Sequence, residues 1–391
     1  MIWFYWISGL LLALIWFVPV LQAALHLHEI ADITHPQWEP GKDAALPALS
    51  IVVPARNEEA DLETALRSLL HLNYAGCEIV AVNDRSTDRT GEIMDRMAKE
   101  PGAAGRLRVL HVQELPPRWL GKAHAMWLGA QQSSGDWVLF TDADCVFHPD
   151  SMRRALHYAT KTSVDHLVLF PTMLFRTLGE RIMISFPNVM GNFAMRAWKF
   201  RDPRARDHIG VGAFNLMRRS AYVAIGTYEK LRMEIVDDIQ LGAVVKKAGF
   251  RQDVVFGPGF VTLRWAAGAL GVVRNLEKNL FAFLRFRVSL ALAACCVLCF
   301  LCVWPFVGVA LAPGWACAGF AVAVAMMASS YFMTSRYTRV APILFVTCPI
   351  GALLFMLAVL RSAFVALRDG GVTWRGTKYP LAELRKKKTS P

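Results

Sequence analysis

Two aspartates one residue apart, Asp142 and Asp144, directly follow an apolar segment at residues 137–141. The segment predicts a buried strand, which would place both carboxylates at the end of that strand. Paired carboxylates can share a hard divalent cation, because Mg²⁺ typically binds one or two carboxylates together with substrate phosphates. Such a cation would neutralise the charge that grows on a diphosphate leaving group. Asp-x-Asp triplets are also common in solvated loops, so this interpretation needs support from other residues.

Four further charged residues, at three places in the sequence, could contribute to a nucleotide site and its chemistry. Asp84, in the polar turn at residues 83–88, could accept hydrogen bonds from a ribose or a base, although an Asx-turn or a helix cap would look the same. Lys122 follows a glycine at a predicted helix start and could bind phosphate, or it could be an ordinary exposed lysine. Asp237 and Asp238 are adjacent and repel each other, so one could act as a general base with a raised pKa. Acidic residues at a helix N-terminus are the alternative.

The elements that must position these residues alternate between strand and helix from about residue 47 to about residue 258. Strands are predicted at residues 49–53, 78–82, 107–112 and 137–141, the first of them halted by Pro54. Helices are predicted from Asp61 to Leu70 and over residues 121–132. In open α/β sheets, ligands bind beyond the carboxyl ends of the strands, which is where three polar clusters of this chain fall.

The two ends of the chain are apolar enough to predict a membrane protein. Residues 2–25 contain no charged residue and are long enough to cross a bilayer. They lack the basic start of a signal peptide, so we expect an uncleaved anchor. Residues 288–335 fit two spans joined near residues 312–314, and residues 341–360 form a further candidate, which gives about four spans.

The positive charges of the C-terminal tail complicate this topology. A cytoplasmic middle domain with four full spans would place the C-terminus outside, yet the tail is rich in Lys and Arg, which the positive-inside rule favours inside. One C-terminal segment could therefore be re-entrant or interfacial. The predicted division of the chain is a transmembrane anchor at residues 1–25, a catalytic domain at 26–267, an amphipathic helix at 268–287, membrane segments at 288–367 and a basic juxtamembrane tail at 368–391. The helix at 268–287 could equally be an ordinary surface helix.

The composition argues for a membrane surface as partner. The net charge of +12 fits anionic lipid headgroups, because Lys and Arg beside apolar spans usually face them. The sequence has no zinc-ligand spacing and no RNA-binding signature, so we expect no nucleic-acid partner. Six of the eight cysteines lie in apolar stretches, and Cys77 and Cys145 suggest no disulfide framework. A reducing, cytoplasmic face is the simpler environment for the middle domain.

The order of the motifs is far more specific than any one of them. The motifs read Pro54-Ala55-Arg56-Asn57-Glu58, then Asn83-Asp84-Arg85-Ser86, then Gly121-Lys122-Ala123, then Thr141-Asp142-Ala143-Asp144, then Val236-Asp237-Asp238-Ile239. In this order, residues 47–260 resemble the family 2 glycosyltransferases. The likeness is greatest to the membrane branch that includes ceramide, carotenoid and hopanoid-associated glycosyltransferases.

The resemblance implies a GT-A fold, with a Rossmann-like, mainly parallel sheet, and an inverting single displacement. It also implies roles for individual residues. The nucleotide-sugar would be held by Pro54, Ala55, Arg56, Asn57, Glu58, Asp84, Lys122, Asp142 and Gly212, the last within a segment that resembles the lining of the donor sugar and acceptor. A divalent cation, Mg²⁺ or Mn²⁺, would be held by Asp144 and Asp142. Asp238 would be the catalytic base, and Asp237 replaces the Glu of the family's acidic pair.

One departure from the family bears on the product. Processive members such as cellulose and hyaluronan synthases carry Gln-x-x-Arg-Trp after the acidic pair, whereas Val261 stands here in place of the Gln before Arg264-Trp265. This predicts a non-processive enzyme, in which Arg274 or Lys278 could help to hold the leaving diphosphate.

The resulting expectation is a multi-pass enzyme of the cell inner membrane with its catalytic domain in the cytoplasm. It would transfer a sugar from a nucleotide-sugar, with a UDP-sugar favoured, to a hydroxyl or carboxyl of a membrane lipid such as a hopanoid, a sphingolipid or a carotenoid. One alternative is a polyprenyl-phosphate glycosyltransferase, whose acceptor is already ionised and needs little general base. A membrane transporter or scaffold is the non-enzyme alternative, which the lack of intramembrane acids opposes.

Overall fold

The computed structural model describes residues 2–41, 44–374 and 377–386, without the side chains of residues 192–194 and 386. Arg375, Gly376, Lys387 and Lys388 of the predicted tail lie outside the described residues. The chain forms two compact units. The sheet unit comprises Ile30–Thr172 and Trp198–Leu263, and the helical unit comprises Met1–Glu29, Met173–Ala197 and Arg264–Pro391.

Twelve strands are present in the described part of the chain. They are β1 Leu49–Ala55, β2 Cys77–Asp84, β3 Leu107–Val112, β4 Trp137–Phe140, β5 Val146–Phe147, β6 His166–Leu169, β7 Thr172–Met173, β8 Asn215–Arg218, β9 Gln252–Val255, β10 Val261–Leu263, β11 Gly371–Trp374 and β12 Thr377–Pro380. Seven of them form one sheet in the order β3-β2-β1-β4-β8-β6-β9. Only β8 runs antiparallel to its neighbours in that sheet, so the predicted mainly parallel α/β fold is confirmed.

Burial on both faces explains why the central strands are almost continuously apolar. Every residue of β1 and β4 is buried, as expected for strands covered by helices on both sides. β1 pairs in parallel with β2 on one side and with β4 on the other. The carboxyl ends of these three strands therefore meet at one edge of the sheet, and the polar turns that follow them lie side by side.

The prediction that Pro54 ends the first strand is wrong, since β1 continues to Ala55. The partner strands explain the difference. β4 pairs with β1 only as far as Val52, whose carbonyl accepts from Thr141 N–H at 3.3 Å, whereas Pro54 still pairs with Val82 of β2. The backbone polar groups of Pro54 point to the same side of β1 as those of Val52, which is the side of β4. An N–H at position 54 would have no partner there, because β4 has already ended. The proline therefore removes no ladder hydrogen bond.

Fourteen α-helices are present in the described residues. They are α1 Ile2–His26, α2 Leu62–Leu70, α3 Thr90–Ala98, α4 Gly121–Gln131, α5 Ser151–Lys161, α6 Leu178–Ala194, α7 Arg219–Ala224, α8 Asp237–Lys247, α9 Gly268–Phe283, α10 Val288–Leu298, α11 Trp304–Leu311, α12 Ala318–Thr338, α13 Cys348–Arg368 and α14 Leu381–Lys386. The predicted helices after Asp61 and Gly121 are thus present with nearly the expected bounds.

The helical unit contains four helical segments that are long and apolar enough to cross a membrane. They are Ile2–Glu29, Val288–Leu311, Gly314–Thr338 and Pro342–Arg368. Their bounds agree with the four spans expected from the sequence, including the break near residues 312–314. The helix that precedes the second of these segments, α9, buries Val272 and Leu276 against Ala358 of α13, while Leu270 and Phe283 are exposed.

A local irregularity in the second apolar segment has an identifiable cause. Residues Cys299–Val303 form a short π-helical turn between α10 and α11. Pro305 follows, and because proline has no N–H, the carbonyl of Leu301 loses its α-helical partner. The indole Nε1 of buried Trp16 donates to that carbonyl at 3.0 Å. The proline-induced defect thus fixes α1 against the second segment within the helical unit.

Candidate active site

The turns after β1 and β2 are joined by hydrogen bonds from backbone N–H groups to side-chain oxygens. Glu58 N–H donates to Thr90 Oγ1 at 2.8 Å, and Thr87 N–H donates to Asn57 Oδ1 at 2.8 Å. Asn57 adopts a left-handed conformation with φ of 55°, which asparagine tolerates better than most residues. The predicted nucleotide loop 54–58 is therefore held rigidly beside the turn that carries Asp84.

Asp84 is buried at the end of β2 and lies against the start of α4. Its carboxylate accepts from Arg85 Nε at 2.8 Å, and Arg56 Nη1 is 4.0 Å away. A Cβ atom added to Gly121, the first residue of α4, would lie 2.2 Å from Asp84 Oδ2. Only glycine therefore allows the helix N-terminus to approach this carboxylate, where the helix dipole favours negative charge.

Lys122, the next residue of α4, is buried among carboxylates rather than exposed. Its Nζ lies 2.6 Å from Asp142 Oδ1. Burial alone would lower the pKa of Lys122, but the charges of Asp142, Asp237 and Asp238 outweigh burial and raise it. The ammonium group is therefore charged at any physiological pH and is placed where a diphosphate could bind.

Asp142 and Asp144 have the chemistry of a divalent-cation site. Burial, and then repulsion by the charge of Asp142, raise the pKa of Asp144 to about 6. A bound cation would relieve this repulsion. Within the described residues, no group of three or more His, Cys, Asp or Glu side chains is placed to hold an ion. A cation here would take its other ligands from a diphosphate and water, as Mg²⁺ commonly does. The chemistry of the two carboxylates fits a metal that the substrate would share.

Asp237 and Asp238 begin α8, so the helix-terminus interpretation holds and does not exclude a chemical role. Asp238 Oδ2 accepts from Gly212 N–H at 3.0 Å, and its Oδ1 accepts from Ile239 N–H at 2.8 Å. Limited hydration, and then the charge of Asp237, raise the pKa of Asp238 to about 6 despite the opposing effect of Lys122. A carboxylate with such a pKa can accept a proton near neutral pH.

Gly212 lies between the two groups of carboxylates. A Cβ atom added there would lie 2.6 Å from Asp142 Oδ2 and 3.3 Å from Lys122 Nζ, while its N–H bonds Asp238. Contacts therefore run continuously from Asp84 through α4 to Asp142, and from Asp142 through Gly212 to Asp238. The structure brings these sequence-predicted residues together in a single site.

Replacing Gly212 with alanine should lower kcat/KM by about 10- to 100-fold, because the added methyl group must displace Asp142 or the Asp238 hydrogen bond. Gly102→Ala is the matched control, since nothing lies within 4 Å of the Cβ it would add. Steady-state kinetics and thermal unfolding of both variants provide the measurement. Equal activity of the two variants would contradict the close approach at Gly212.

Three buried residues of the sheet unit that support this site had no recognisable signal in the sequence. His166, Gln252 and Asn215 lie within strands, and buried polar side chains there are indistinguishable from surface ones until the strands are paired. Asn215 ends the segment at residues 210–215 that contains Gly212, and the resemblance implies no individual role for it. Only the strand register could have identified the group.

Known proteins share both the sequence pattern and the fold of this chain. Residues 50–226 match the family model described as Glycosyl transferase family 2. The 4,4'-diaponeurosporenoate glycosyltransferase of Staphylococcus haemolyticus is 25% identical over 236 residues, which is 60% of this chain and 61% of the relative. The Staphylococcus aureus protein of that name is 26% identical over 219 residues, or 56% of each chain. The chain thus spans about three fifths of the length of these relatives.

A solved structure has the same fold at low sequence identity. It is the mannosyltransferase PcManGT from Pyrobaculum calidifontis in complex with GDP-Man and Mn²⁺. The two structures superpose with a TM-score of 0.50 and 17% identity, over 93% of this chain and 99% of that one. Together with the mainly parallel sheet, this likeness shows the GT-A fold, and the family match identifies residues 50–226 as a family 2 glycosyltransferase domain.

Proposed function

We propose that this chain is a glycosyltransferase that carries out inverting, metal-dependent and non-processive transfer of a sugar from a nucleotide-sugar to a membrane lipid. The observation that carries the proposal is the buried Lys122–Asp142 pair, joined through Gly212 to Asp238. One side of Gly212 offers a cation and carboxylates for a diphosphate, and the other offers a base with a raised pKa. A sugar held between them would have its leaving group and its attacking nucleophile on opposite sides, which is the requirement for inversion.

The donor would occupy the edge of the sheet formed by the ends of β1, β2 and β4. Asp84 and the 54–58 loop would hold the nucleoside, since a buried carboxylate can accept hydrogen bonds from ribose or base N–H and O–H groups. Lys122 would bind the diphosphate. Asp142 and Asp144 would hold the divalent cation, which when bound stabilises the negative charge of the leaving diphosphate. These assignments follow the donor set and the charges of the site.

The chemical step would need a proton acceptor when the acceptor is an alcohol. Asp238 would remove the hydroxyl proton as the acceptor oxygen bonds to the anomeric carbon, and the bond from that carbon to the diphosphate breaks on the opposite face. The electron pair of that bond leaves with the diphosphate, beside Lys122. Gly212 N–H and Ile239 N–H hold the Asp238 carboxylate in place during the transfer.

A lipid acceptor is supported by the four apolar helical segments and by the relatives named as diaponeurosporenoate glycosyltransferases. That name points to a carotenoid-type acceptor with a carboxylate. We propose a carotenoid-like or similar polyisoprenoid lipid, with a hydroxyl or carboxyl group, as the acceptor of this chain. A multi-pass position in the inner membrane, with the sheet unit in the cytoplasm where nucleotide-sugars are made, completes the proposal.

With a hydroxylated acceptor, the pH dependence of kcat/KM should show an acid limb near pH 6, because the base must be deprotonated and the pKa of Asp238 is raised to about 6. Activity is then retained above that pH and lost as the pH falls through it, whereas an unperturbed aspartate would stay active to about pH 4. Asp237→Asn removes a charge that raises this pKa, so the limb should move to lower pH. If the acid limb stays at the same pH in this variant, the limb arises from the titration of another group.

The acceptor class can be tested with the full chain in nanodiscs, a labelled nucleotide-sugar and Mn²⁺. Three lipids form the panel: a hydroxylated carotenoid, a carotenoid carboxylic acid and a polyprenyl phosphate. We expect transfer to one of the carotenoids and loss of transfer on chelation, with recovery when Mg²⁺ or Mn²⁺ is returned. Transfer to the polyprenyl phosphate alone, or full activity in excess chelator, would overturn the corresponding part of the proposal.

A further inference from the structure

Three buried polar side chains on neighbouring strands form a continuous hydrogen-bonded chain beneath the active site. Gln252 of β9 and His166 of β6 are directly opposite each other in the sheet, and Asn215 lies on β8 at the other side of β6. Gln252 Nε2 lies 2.7 Å from His166 Nδ1, and His166 Nε2 lies 3.2 Å from Asn215 Oδ1. Fully buried polar groups are costly unless they are paired, so such a chain calls for an explanation.

The partners of the imidazole determine its protonation. The amide nitrogen of Gln252 can only donate, so His166 Nδ1 must accept, and Nε2 must then carry the proton that is donated to Asn215. Burial lowers the pKa of His166 to about 4, which keeps the ring neutral at any pH at which the enzyme would work. The ring therefore acts as a fixed connector with one acceptor and one donor.

The side chains at the two ends of this hydrogen-bonded chain, Gln252 and Asn215, bind backbone groups of residues 209–211, which lead to Gly212. Gln252 accepts from Ile209 N–H at 2.8 Å and donates to the Ile209 carbonyl at 3.0 Å. Asn215 donates to the Val211 carbonyl at 2.8 Å and accepts from Val211 N–H at 3.3 Å. Each side-chain amide thus makes the hydrogen bonds that the backbone of a neighbouring strand would otherwise make. As a result, both the N–H and the carbonyl of Ile209 and of Val211, the residues on either side of Gly210, are hydrogen-bonded.

The segment held in this way is in direct contact with the proposed base. A Cβ atom added to Gly210 would lie 1.8 Å from the backbone oxygen of Asp238, and one added to Gly212 would lie 2.6 Å from Asp142 Oδ2. Gly212 N–H donates to Asp238 Oδ2 at 3.0 Å. A small shift of residues 209–212 would therefore change the distance between Asp238 and the donor site.

We propose that His166 is a positioning residue for the reaction, which connects Gln252 and Asn215 so that the 209–212 backbone presents Gly212 N–H to Asp238. The inference rests on the proposed role of Asp238. Because a misplacement of about 1 Å can cost about 100-fold in rate, loss of the connector should act on kcat more than on donor binding, which depends on Asp84 and Lys122. It should also weaken the hydrogen bond from Gly212 to Asp238, and so raise the pKa of that base.

The test compares His166→Phe, which keeps the ring volume but has no polar atom, with His166→Gln, which can accept from Gln252 and donate to Asn215. We expect His166→Phe to lose about 10- to 100-fold in kcat with little change in donor KM, and to show an acid limb at higher pH than the parent. His166→Gln should recover most of kcat and the original limb. The full chain in nanodiscs is used throughout.

Two further variants separate a positioning role from general damage. Ser50→Ala removes another buried hydrogen-bond group, which accepts from Gly135 N–H at the opposite end of β1, and should leave the acid limb unchanged. Asp238→Asn reports on the proposed function itself. If Asp238→Asn is inactive while His166→Phe keeps the parent kcat and limb, the positioning role is wrong and the function stands. All variants are assayed with a hydroxylated lipid, so if Asp238→Asn is fully active, the proposed base is wrong whatever His166→Phe shows.

Discussion

Asp238→Asn should reduce transfer to a hydroxylated lipid by about 100-fold or more, because general acid–base catalysis typically contributes about 10²- to 10⁴-fold. The asparagine oxygen can still accept from Gly212 N–H, so the backbone around it should remain in place. Donor KM should change little, since the diphosphate would be held on the far side of Gly212. The measurement is kcat and KM for donor and acceptor in steady state.

The size of this loss should depend on the acceptor. A carboxylate or phosphate acceptor is already ionised and needs no base, so Asp238→Asn should cost much less with it than with an alcohol. Glu234→Gln is a matched control, because it removes the same charge three residues before α8 begins. A loss in Glu234→Gln as large as that in Asp238→Asn would show that the effect is one of net charge and not of proton transfer.

Lys122→Met should destabilise the sheet unit by about 3 to 5 kcal/mol, because removing one partner of a buried ion pair leaves uncompensated charge behind. Asp142, Asp237 and Asp238 would then face one another without their shared cation. Diphosphate binding should be lost as well, since the cation is also the group that would meet the donor. Thermal unfolding in detergent without donor measures the first effect, and titration with a nucleotide-sugar measures the second.

The destabilisation should depend on pH with a definite sign. The pKa of Asp238 is already raised to about 6, and loss of Lys122 would raise it further, so the folded state binds protons more tightly than the unfolded state. The penalty is then full at about pH 8 and is relieved as the pH falls to about 5. Lys247→Met, an exposed lysine of α8, should show neither the penalty nor its pH dependence. Equal destabilisation of Lys122→Met at both pH values would contradict the account.

The sequence predicted those parts of the fold that follow from local pattern. The apolar strand before Asp142, the parallel neighbours β1, β2 and β4, and the apolar helical segments all depend on short-range hydrophobic patterning, which residue types report directly. Pro54 shows the limit of a local rule, since whether a proline ends a strand depends on where the neighbouring strand stops. That information lies in residues far away in the chain.

The site was predictable as a set of motifs, but its electrostatics was not. Lys122 taken by itself predicts an exposed lysine, and only the packing of α4 against β1 and β2 places its ammonium 2.6 Å from Asp142. The same holds for His166 and Gln252, which are separated by 86 residues in sequence and become neighbours only through the register of β6 and β9. In the helical unit, Pro305 predicts a helix defect from the sequence alone. The sequence does not predict that Trp16 donates a hydrogen bond to the carbonyl of Leu301, which the proline leaves without its helical partner.

A structure of the chain with Mn²⁺ and an intact nucleotide-sugar tests the central claim most directly. We expect the nucleoside against Asp84, the diphosphate between Lys122 and the Asp142–Asp144 pair, and the anomeric carbon facing Asp238 across Gly212. A nucleotide bound away from the ends of β1, β2 and β4, or a donor whose anomeric carbon points away from Asp238, would contradict it.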